Sequence, residues 1–240
     1  MLPDLTARAT ELRELMDDPD ADRRALERTY RIFEPLNRVV SRPGRLYRRD
    51  IRPRAAAGAI RILDVGSGGG DLCRELAARL RRDGLSAELT ALDPDERATE
   101  WARAHDGGAG IRYRTALTSV LVAEGAAFDV VLSNHLLHHL SAPELEGLLG
   151  DSERLIGDTG LAVHSDILRS RPAYALFALG TLPLMPGPLR GSFIRTDGLL
   201  SIRRSYTAEE LRGVAPPGWD VRTALPSRIE LRRGRGDDRP

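Results

Sequence analysis

Lysine is absent from this sequence, although 36 of its 240 residues carry a basic side chain. The basic residues are therefore all arginine, which is typical of a GC-rich coding sequence and by itself indicates no partner. Because 35 acidic residues reduce the formal net charge to +1, the overall charge gives no reason to expect a nucleic-acid-binding protein.

Cysteine and long apolar runs are also scarce. The single cysteine, Cys73, excludes an internal disulfide bond and fits a reducing compartment. The N-terminus carries acidic residues early and lacks the apolar segment of a secretory signal. The longest uncharged stretch, residues 172–189, contains internal glycines and prolines that argue against a membrane-spanning helix. The sequence therefore predicts a cytoplasmic protein with no transmembrane segment.

Residues 1–58 are predicted to form a helical cover over the rest of the chain. A solvated helix face explains the many arginines between Arg23 and Arg54, and a site for an anionic acceptor or a membrane surface is the alternative. Apolar residues recur in this region at helical spacing in two sets, which are Leu5, Leu12 and Leu15, and then Leu26, Tyr30 and Phe33.

Residues 59–166 alternate short apolar runs with helical patterns, which is typical of βαβ units in a parallel sheet. Apolar residues dominate the runs, so the strands are expected to be covered on both faces. A capping box at residues 141–144 predicts a helix over 144–155. The predicted strands are 60–65, 88–93, 111–113, 128–133 and 161–165.

Residues 167–205 form a connection that is much longer than is usual between a strand and a helix. Residues 206–240 are predicted to complete the sheet. Thr207 opens a second capping box and a helix. The segments 219–225 and 228–231 are expected to pair antiparallel at one edge of the sheet, before a basic, glycine-rich tail around residues 232–236.

A run of glycines follows the first predicted strand in the sequence DVGSGGG, residues 64–70. Glycine allows a sharp turn and a close approach to a ligand, and the amides of the following helix attract an electron-rich group. The spacing fits neither the nicotinamide-binding fingerprint nor the Walker loop. Asp93, at the end of the second strand, can accept hydrogen bonds from both hydroxyls of a ribose. A helix N-cap or a turn at Asp93 and Pro94 is the structural alternative.

Taken together, these motifs resemble the class I S-adenosylmethionine-dependent methyltransferases. The resemblance extends over residues 59–166 and rests on ILDVGSGGGDL at 62–72, ALDPD at 91–95 and FDVVLSNHLLHHL at 128–140. It implies an α/β fold with a Rossmann-like, seven-stranded, mostly parallel sheet in a three-layer αβα arrangement. An N-terminal helical cover and a helical insertion before the last helix would complete this fold. The resemblance also implies S-adenosylmethionine as the methyl donor and S-adenosylhomocysteine as the product.

The resemblance implies a role for each residue that matches the family's motifs. Asp64 is expected to orient the methionine amino group, and Asn134 to pack near the sulfonium. Many relatives carry an acid after the third strand that binds the adenine amino group, but residues 114–117 contain none. Backbone groups at Ala116 and Leu117 are therefore expected to hold adenine. The predicted cofactor-binding residues are Asp64, Gly66, Ser67, Gly68, Gly70, Asp93, Pro94, Ala116, Leu117 and Asn134.

Three histidines follow the fourth strand, at the edge of the sheet where the cofactor would bind. Methyl transfer from a sulfonium needs neither a metal nor a protein nucleophile, so positioning can supply most of the catalysis and no metal is expected. A hydroxyl acceptor gains from a base, and histidine titrates in the right range. The catalytic candidates are His138, His139 and His135, with a structural role for the first two as the alternative. His164 and Asp166 form a further candidate pair.

The methyl acceptor is expected to bind to the segments that are added to the core. The apolar residues of 167–205 either cover a pocket for a hydrophobic molecule or pack on the N-terminal helices. We expect methyl transfer to a small, largely apolar metabolite of phenolic or quinone-like type, with oxygen preferred over carbon. The alternatives are an RNA or protein methyltransferase and a non-catalytic partner that binds S-adenosylmethionine. No nucleic-acid partner is expected, and a homodimer is compatible with the sequence.

Overall fold

A computed structural model describes residues 3–234 of the chain. Residues 1–2, at the start of the predicted helical cover, and residues 235–240, which include the end of the predicted basic tail, lie outside the described residues.

Seven strands form one sheet: β1 (Ile60–Val65), β2 (Ala87–Asp93), β3 (Arg112–Thr115), β4 (Val130–Asn134), β5 (Leu161–Ile167), β6 (Asp220–Ala224) and β7 (Arg228–Gly234). Their order in the sheet is β3-β2-β1-β4-β5-β7-β6. The first five strands run parallel, and β7 is antiparallel to both of its neighbours. The predicted seven-stranded, mostly parallel sheet is confirmed, as is the antiparallel pair at its edge.

Helices cover both faces of this sheet. They are α1 (Arg23–Val40), α2 (Pro43–Leu46), α3 (Arg52–Ala57), α4 (Asp71–Arg82), α5 (Glu96–Ala104), α6 (Thr118–Ala123), α7 (Ala142–Ile156), α8 (Arg171–Thr181), α9 (Ile194–Arg204) and α10 (Ala208–Val214). A π-helical turn, Tyr47–Ile51, joins α2 to α3. The capping boxes predicted at Ser141 and Thr207 are both present at the starts of α7 and α10.

The central strands separate two hydrophobic cores, because successive side chains of a strand point to opposite faces. Ile62 of β1 packs in one core with Leu76 of α4. Its neighbour Leu63 packs in the other core with Leu149 of α7 and Leu211 of α10. The sheet is thus the middle layer of the expected αβα arrangement.

The prediction of a helix through Leu5, Leu12 and Leu15 is wrong. The described residues before Leu15 form no helix, and a single 3₁₀ turn follows at Leu15–Asp17. Hydrogen bonds to distant parts of the chain hold this segment in place. The carbonyl of Leu5, for example, accepts a bond of 3.0 Å from the Arg169 guanidinium. Such tertiary contacts override the weak local preference for a helix.

The second predicted N-terminal helix is present as α1, and the 167–205 connection packs against it. Leu26 and Tyr30 of α1 are buried in a cluster that Phe33 and Phe193 also contact. The amide of Phe193 donates a hydrogen bond of 2.9 Å to the Thr29 hydroxyl. Among the described residues, no helix has both the length and the apolar character needed to cross a membrane.

Candidate active site

The glycine loop lies at the carboxyl ends of β1 and β2, as predicted from the sequence. Gly66, Gly68 and Gly70 have φ angles of +65°, +50° and +77°, a region in which other residues are strained. The Asp93 carboxylate accepts a hydrogen bond of 2.8 Å from the Gly68 amide and another of 2.9 Å from the Asp95 amide. Asp93 therefore ties the loop to the end of β2.

Polar atoms without partners identify the face of this loop that suits the methyl donor. Among the described residues, the buried Asp64 Oδ2 and Ser67 Oγ have no hydrogen-bond partner. A Cβ placed on Gly68 would meet no heavy atom within 4 Å, so this part of the loop faces open space. Carboxylate and hydroxyl oxygens are suitable partners for the amino and hydroxyl groups of S-adenosylmethionine. The residues present fit that cofactor.

Both carboxyls of this region are buried beside other acids. Burial raises the pKa of Asp64 well above its usual value, and the neighbouring Asp71 adds to the rise. Burial also raises the pKa of Asp93. A cationic amino group near Asp64 would favour its ionised form again, because opposite charges stabilise each other in a buried site.

The predicted adenine region lies after β3. Ala116 is half-buried, and Leu117 is exposed where it precedes α6. Pro94 is exposed after β2. Tyr30 and Trp101 pack against Gly69, with their ring centroids 6.0 Å apart. The helical cover thus reaches the glycine loop through an aromatic contact.

Asn134, at the tip of β4, is at the centre of a hydrogen-bond network. Its amide group donates to the Ser41 hydroxyl at 2.9 Å, and its carbonyl oxygen accepts from the Arg228 guanidinium. Arg228 also donates to the Ser165 hydroxyl at 2.9 Å. Side chains from the helical cover, β4, β5 and β7 therefore meet at one point.

His135 belongs to the same network. Its backbone has φ +60°, which is unusual for a residue with a side chain. Its Nε2 atom lies 2.9 Å from the Ser41 hydroxyl, and Arg228 Nη1 lies 3.1 Å from the same atom. Burial and the Arg228 cation lower the pKa of His135 well below its usual value. This ring is neutral at physiological pH.

His138 has a different environment. It is buried, with Nδ1 2.9 Å from an oxygen of Asp166 and Nε2 3.2 Å from an oxygen of Glu14. Burial opposes the charged form, but these two carboxylates outweigh it and raise the pKa of His138 to about 10. A protonated ring that is hydrogen-bonded to Asp166 and forms an ion pair with Glu14 fits a positioning role better than the predicted role of base. His139 Nδ1 lies 3.1 Å from Asp17, on the same N-terminal segment.

His164 and Asp166 do not bond to each other, although the sequence suggests them as a pair. His164 is buried between the hydroxyls of Ser133 and Ser152, at 2.9 and 3.1 Å. Burial lowers its pKa to about 3, so it is neutral. Asp166 instead pairs with His138.

Two adjoining cavities connect these groups. Both open to solvent. Arg228 and Ser165 are part of the lining of the larger, and the smaller reaches Asp71 at the start of α4. Both are lined by Ser41, Leu72 and Asn134. The cavities therefore meet beside the tip of β4, between the glycine loop and β7.

Sequence reasoning missed Arg228 and Ser41, which the structure places in this site. Arg228 is one of 36 basic residues of a single type, so composition cannot distinguish it. Ser41 lies in the predicted cover, far from any motif. The apolar residues of 167–205 that were expected to cover a pocket do not line either cavity. Leu176 and Leu179 are exposed, whereas Phe193 packs on the N-terminal cluster, as the alternative predicted.

Comparison with known proteins identifies the family. Residues 62–160 match a family of methyltransferase domains. The ubiquinone biosynthesis O-methyltransferase of Ruegeria sp. (strain TM1040) is 30% identical over 174 residues, which cover 70% of this chain and 67% of that protein. The chain belongs to the class I S-adenosylmethionine-dependent methyltransferases.

Another relative and a solved structure agree with this assignment. The ubiquinone biosynthesis O-methyltransferase of Roseobacter denitrificans is 32% identical over 152 residues, which cover 60% of this chain and 58% of that protein. The plantazolicin methyltransferase BpumL, crystallised with a triazolic desmethylPZN analog and S-adenosylhomocysteine, has a similar fold. It has a TM-score of 0.53 at 13% identity and covers 89% of this chain and 96% of its own. S-adenosylmethionine is the cofactor of this methyltransferase.

Proposed function

We propose that this methyltransferase transfers a methyl group to a hydroxyl oxygen of a small phenolic or quinol-like molecule. The observation that carries the proposal is the meeting of two cavities at Asn134. One reaches the helix that follows the glycine loop, and the other is lined by polar side chains of β4, β5 and β7 that could orient a small molecule. A donor on one side and an acceptor on the other would face each other beside β4.

The donor would be held by residues at the ends of β1 and β2. When bound, the cofactor supplies an activated methyl group on a sulfonium. Asp64 would accept hydrogen bonds from its amino group, and Asp93 from its ribose hydroxyls. Because the Gly68 amide is already hydrogen-bonded to Asp93, the loop needs little rearrangement on binding.

The acceptor hydroxyl must lose a proton as the new bond forms, and His135 is the proposed base. Of the three candidate histidines, it is the one that contacts the cavity residues Ser41 and Arg228. Its lowered pKa keeps it unprotonated, whereas the raised pKa of His138 does not. Ser41 can relay the proton, since its hydroxyl lies in the cavity lining and within 2.9 Å of His135 Nε2. The predicted absence of a metal and the role of His139 stay predictions.

The two relatives support oxygen as the acceptor atom, because both are ubiquinone biosynthesis O-methyltransferases. The arginines of the helical cover give less support to a polymer substrate than the sequence suggested. Arg42 and Arg45, although exposed, lie in the lining of the larger cavity, where they could contact a small acceptor.

The test is turnover by the purified protein with S-adenosylmethionine and a panel of catechols and hydroquinones. We expect release of S-adenosylhomocysteine and a gain of one methyl group on the acceptor oxygen, both measured by mass spectrometry. Labelling of RNA or protein fractions with no turnover of any phenol would contradict the proposal.

A further inference from the structure

Arg228 is a buried cation whose environment does not balance its charge. Its side chain lies at the start of β7, and the residue is 4% exposed. It donates to the neutral groups of Asn134 and Ser165 and lies against the ring of His135. Among the described residues, its Nε atom has no hydrogen-bond partner, and no carboxylate forms an ion pair with it.

Two acids stabilise the charge of Arg228, but each of them is paired with another residue. Asp166 and Glu230 favour the charged form of Arg228 from a distance. Asp166, however, binds the His138 ring at 2.9 Å, and Glu230 pairs with Arg49 at 3.0 Å. A buried charge without a close partner is costly, and an anionic ligand beside Arg228 would offset this cost.

The larger cavity provides the place for such a ligand. Arg228 lines it together with Arg42 and Arg45, and Glu230 is the one acid that the described part of the chain adds to its lining. Arg42 has φ +49° and donates a hydrogen bond of 3.1 Å to the carbonyl of Leu225. This bond holds its side chain near the start of β7. The buried Arg228 is the main charge of this lining, because Arg42 and Arg45 are exposed and Glu230 is already paired with Arg49. This buried positive charge makes the cavity attractive to an anion.

We propose that Arg228 binds a carboxylate carried by the methyl acceptor inside this cavity. The proposal rests on the proposed function, since it takes the cavity as the acceptor site. A guanidinium matches a carboxylate in shape and charge, and such charge-assisted bonds are stronger than neutral ones. The acceptor is then an aromatic acid with a hydroxyl group, more polar than the sequence indicated.

The expected position of the donor explains why the carboxylate is assigned to the acceptor. The donor's amino acid end would lie by Asp64 on β1, and Arg228 is on β7, separated from β1 by β4 and β5. The Arg228 side chain reaches Asn134 on β4, and within residues 3–234 its hydrogen bonds go to His135, Asn134 and Ser165 and not to the glycine loop. The carboxylate of the donor remains the competing source, and the experiment separates the two.

The test compares 3,4-dihydroxybenzoate with its neutral amide, 3,4-dihydroxybenzamide, by calorimetry on the full chain saturated with S-adenosylhomocysteine. We expect the wild-type protein to bind the carboxylate about ten- to a hundredfold more tightly, as one or two charge-assisted hydrogen bonds would give. Arg228→Met should abolish this preference, and Arg228→Lys should retain part of it. Arg233→Met, at the other end of β7 and outside the cavity, is the matched control and should change neither affinity.

The remaining outcomes of this experiment either contradict the proposal or assign Arg228 to another ligand. Equal binding of the two ligands by the wild-type protein would overturn the proposal, as would a preference that survives in Arg228→Met. Loss of S-adenosylhomocysteine affinity in Arg228→Met and Arg228→Lys, with the ligand preference unchanged, would assign Arg228 to the donor's carboxylate. If Arg228→Met does not fold, the wild-type preference and the Arg228→Lys variant decide. If the protein prefers the carboxylate ligand but transfers no methyl group, the proposed function is refuted, while the binding of an anion by Arg228 is still supported.

Discussion

The two halves of the candidate site are built in different ways. The half at β1 and β2 comes from two local motifs, the backbone of the glycine loop with the flanking Asp64, and the end of β2, where Asp93 is bonded to Gly68. The half at β4, β5 and β7 consists of side chains from separate segments, such as Ser41, Asn134 and Arg228. A shared donor suits a site made of backbone, whereas an acceptor that differs between enzymes requires side chains that can be exchanged. We therefore expect mutations at β1 and β2 to weaken donor binding, and mutations at β4, β5 and β7 to impair acceptor binding or catalysis without affecting the donor.

The largest expected effect is on the side-chain half. Replacing His135 by asparagine, which tolerates its positive φ, should lower kcat for phenolic acceptors by about 10²- to 10⁴-fold, the usual contribution of a general base. The affinity for S-adenosylhomocysteine should not change. Steady-state kinetics and calorimetry measure the two quantities.

The control for this variant is His105→Asn, because His105 is exposed and stacks on Trp101 away from the network. It should leave kcat unchanged. If His135→Asn keeps wild-type kcat, or if it loses donor affinity as well, the two halves are not separable and His135 is not the base.

The next effect concerns the backbone half. Asp93→Ala removes the carboxylate that would hold two ribose hydroxyls, and it also releases the Gly68 amide. Two charge-assisted hydrogen bonds correspond to a loss of about 100-fold or more in affinity for S-adenosylhomocysteine. Asp158→Ala, at an exposed position after α7, is the matched control. A calorimetric affinity for Asp93→Ala within a factor of three of the control would exclude Asp93 from the donor site.

The difference between the halves also explains what the sequence could and could not predict. The glycine loop, Asp93 and the capping box at Ser141 depend on neighbouring residues, so local patterns reveal them. Arg228 reaches Asn134 only because β7 pairs antiparallel with β5, a register that depends on the whole sheet. Leu5 has helical spacing with later leucines, but a bond from Arg169 holds its segment in another conformation.

The smallest expected effect concerns stability and compares two buried histidines with opposite titration behaviour. The pKa of His138 is raised to about 10 in the fold, so its contribution is complete below its unfolded pKa of about 6.5 and is lost as pH rises toward 10. The pKa of His164 is lowered to about 3, so its contribution is complete above about 6.5 and is lost as pH falls toward 3. Each slope is at most about 1.4 kcal/mol per pH unit.

Urea unfolding from pH 4 to pH 10 measures both slopes. His138→Gln should remove part of the decline on the alkaline side, and His164→Gln part of the decline on the acid side. Other groups, such as the buried thiol of Cys73, also titrate on the alkaline side, but they cancel in the difference between variant and wild type. Glu14→Gln provides an intermediate case, because His138 then keeps only the Asp166 carboxylate as a partner. The stability that depends on His138 should therefore decline at lower pH than in the wild-type protein. If His138→Gln keeps the full alkaline slope, the ring is not held as a cation between Asp166 and Glu14, and it becomes available again as a base.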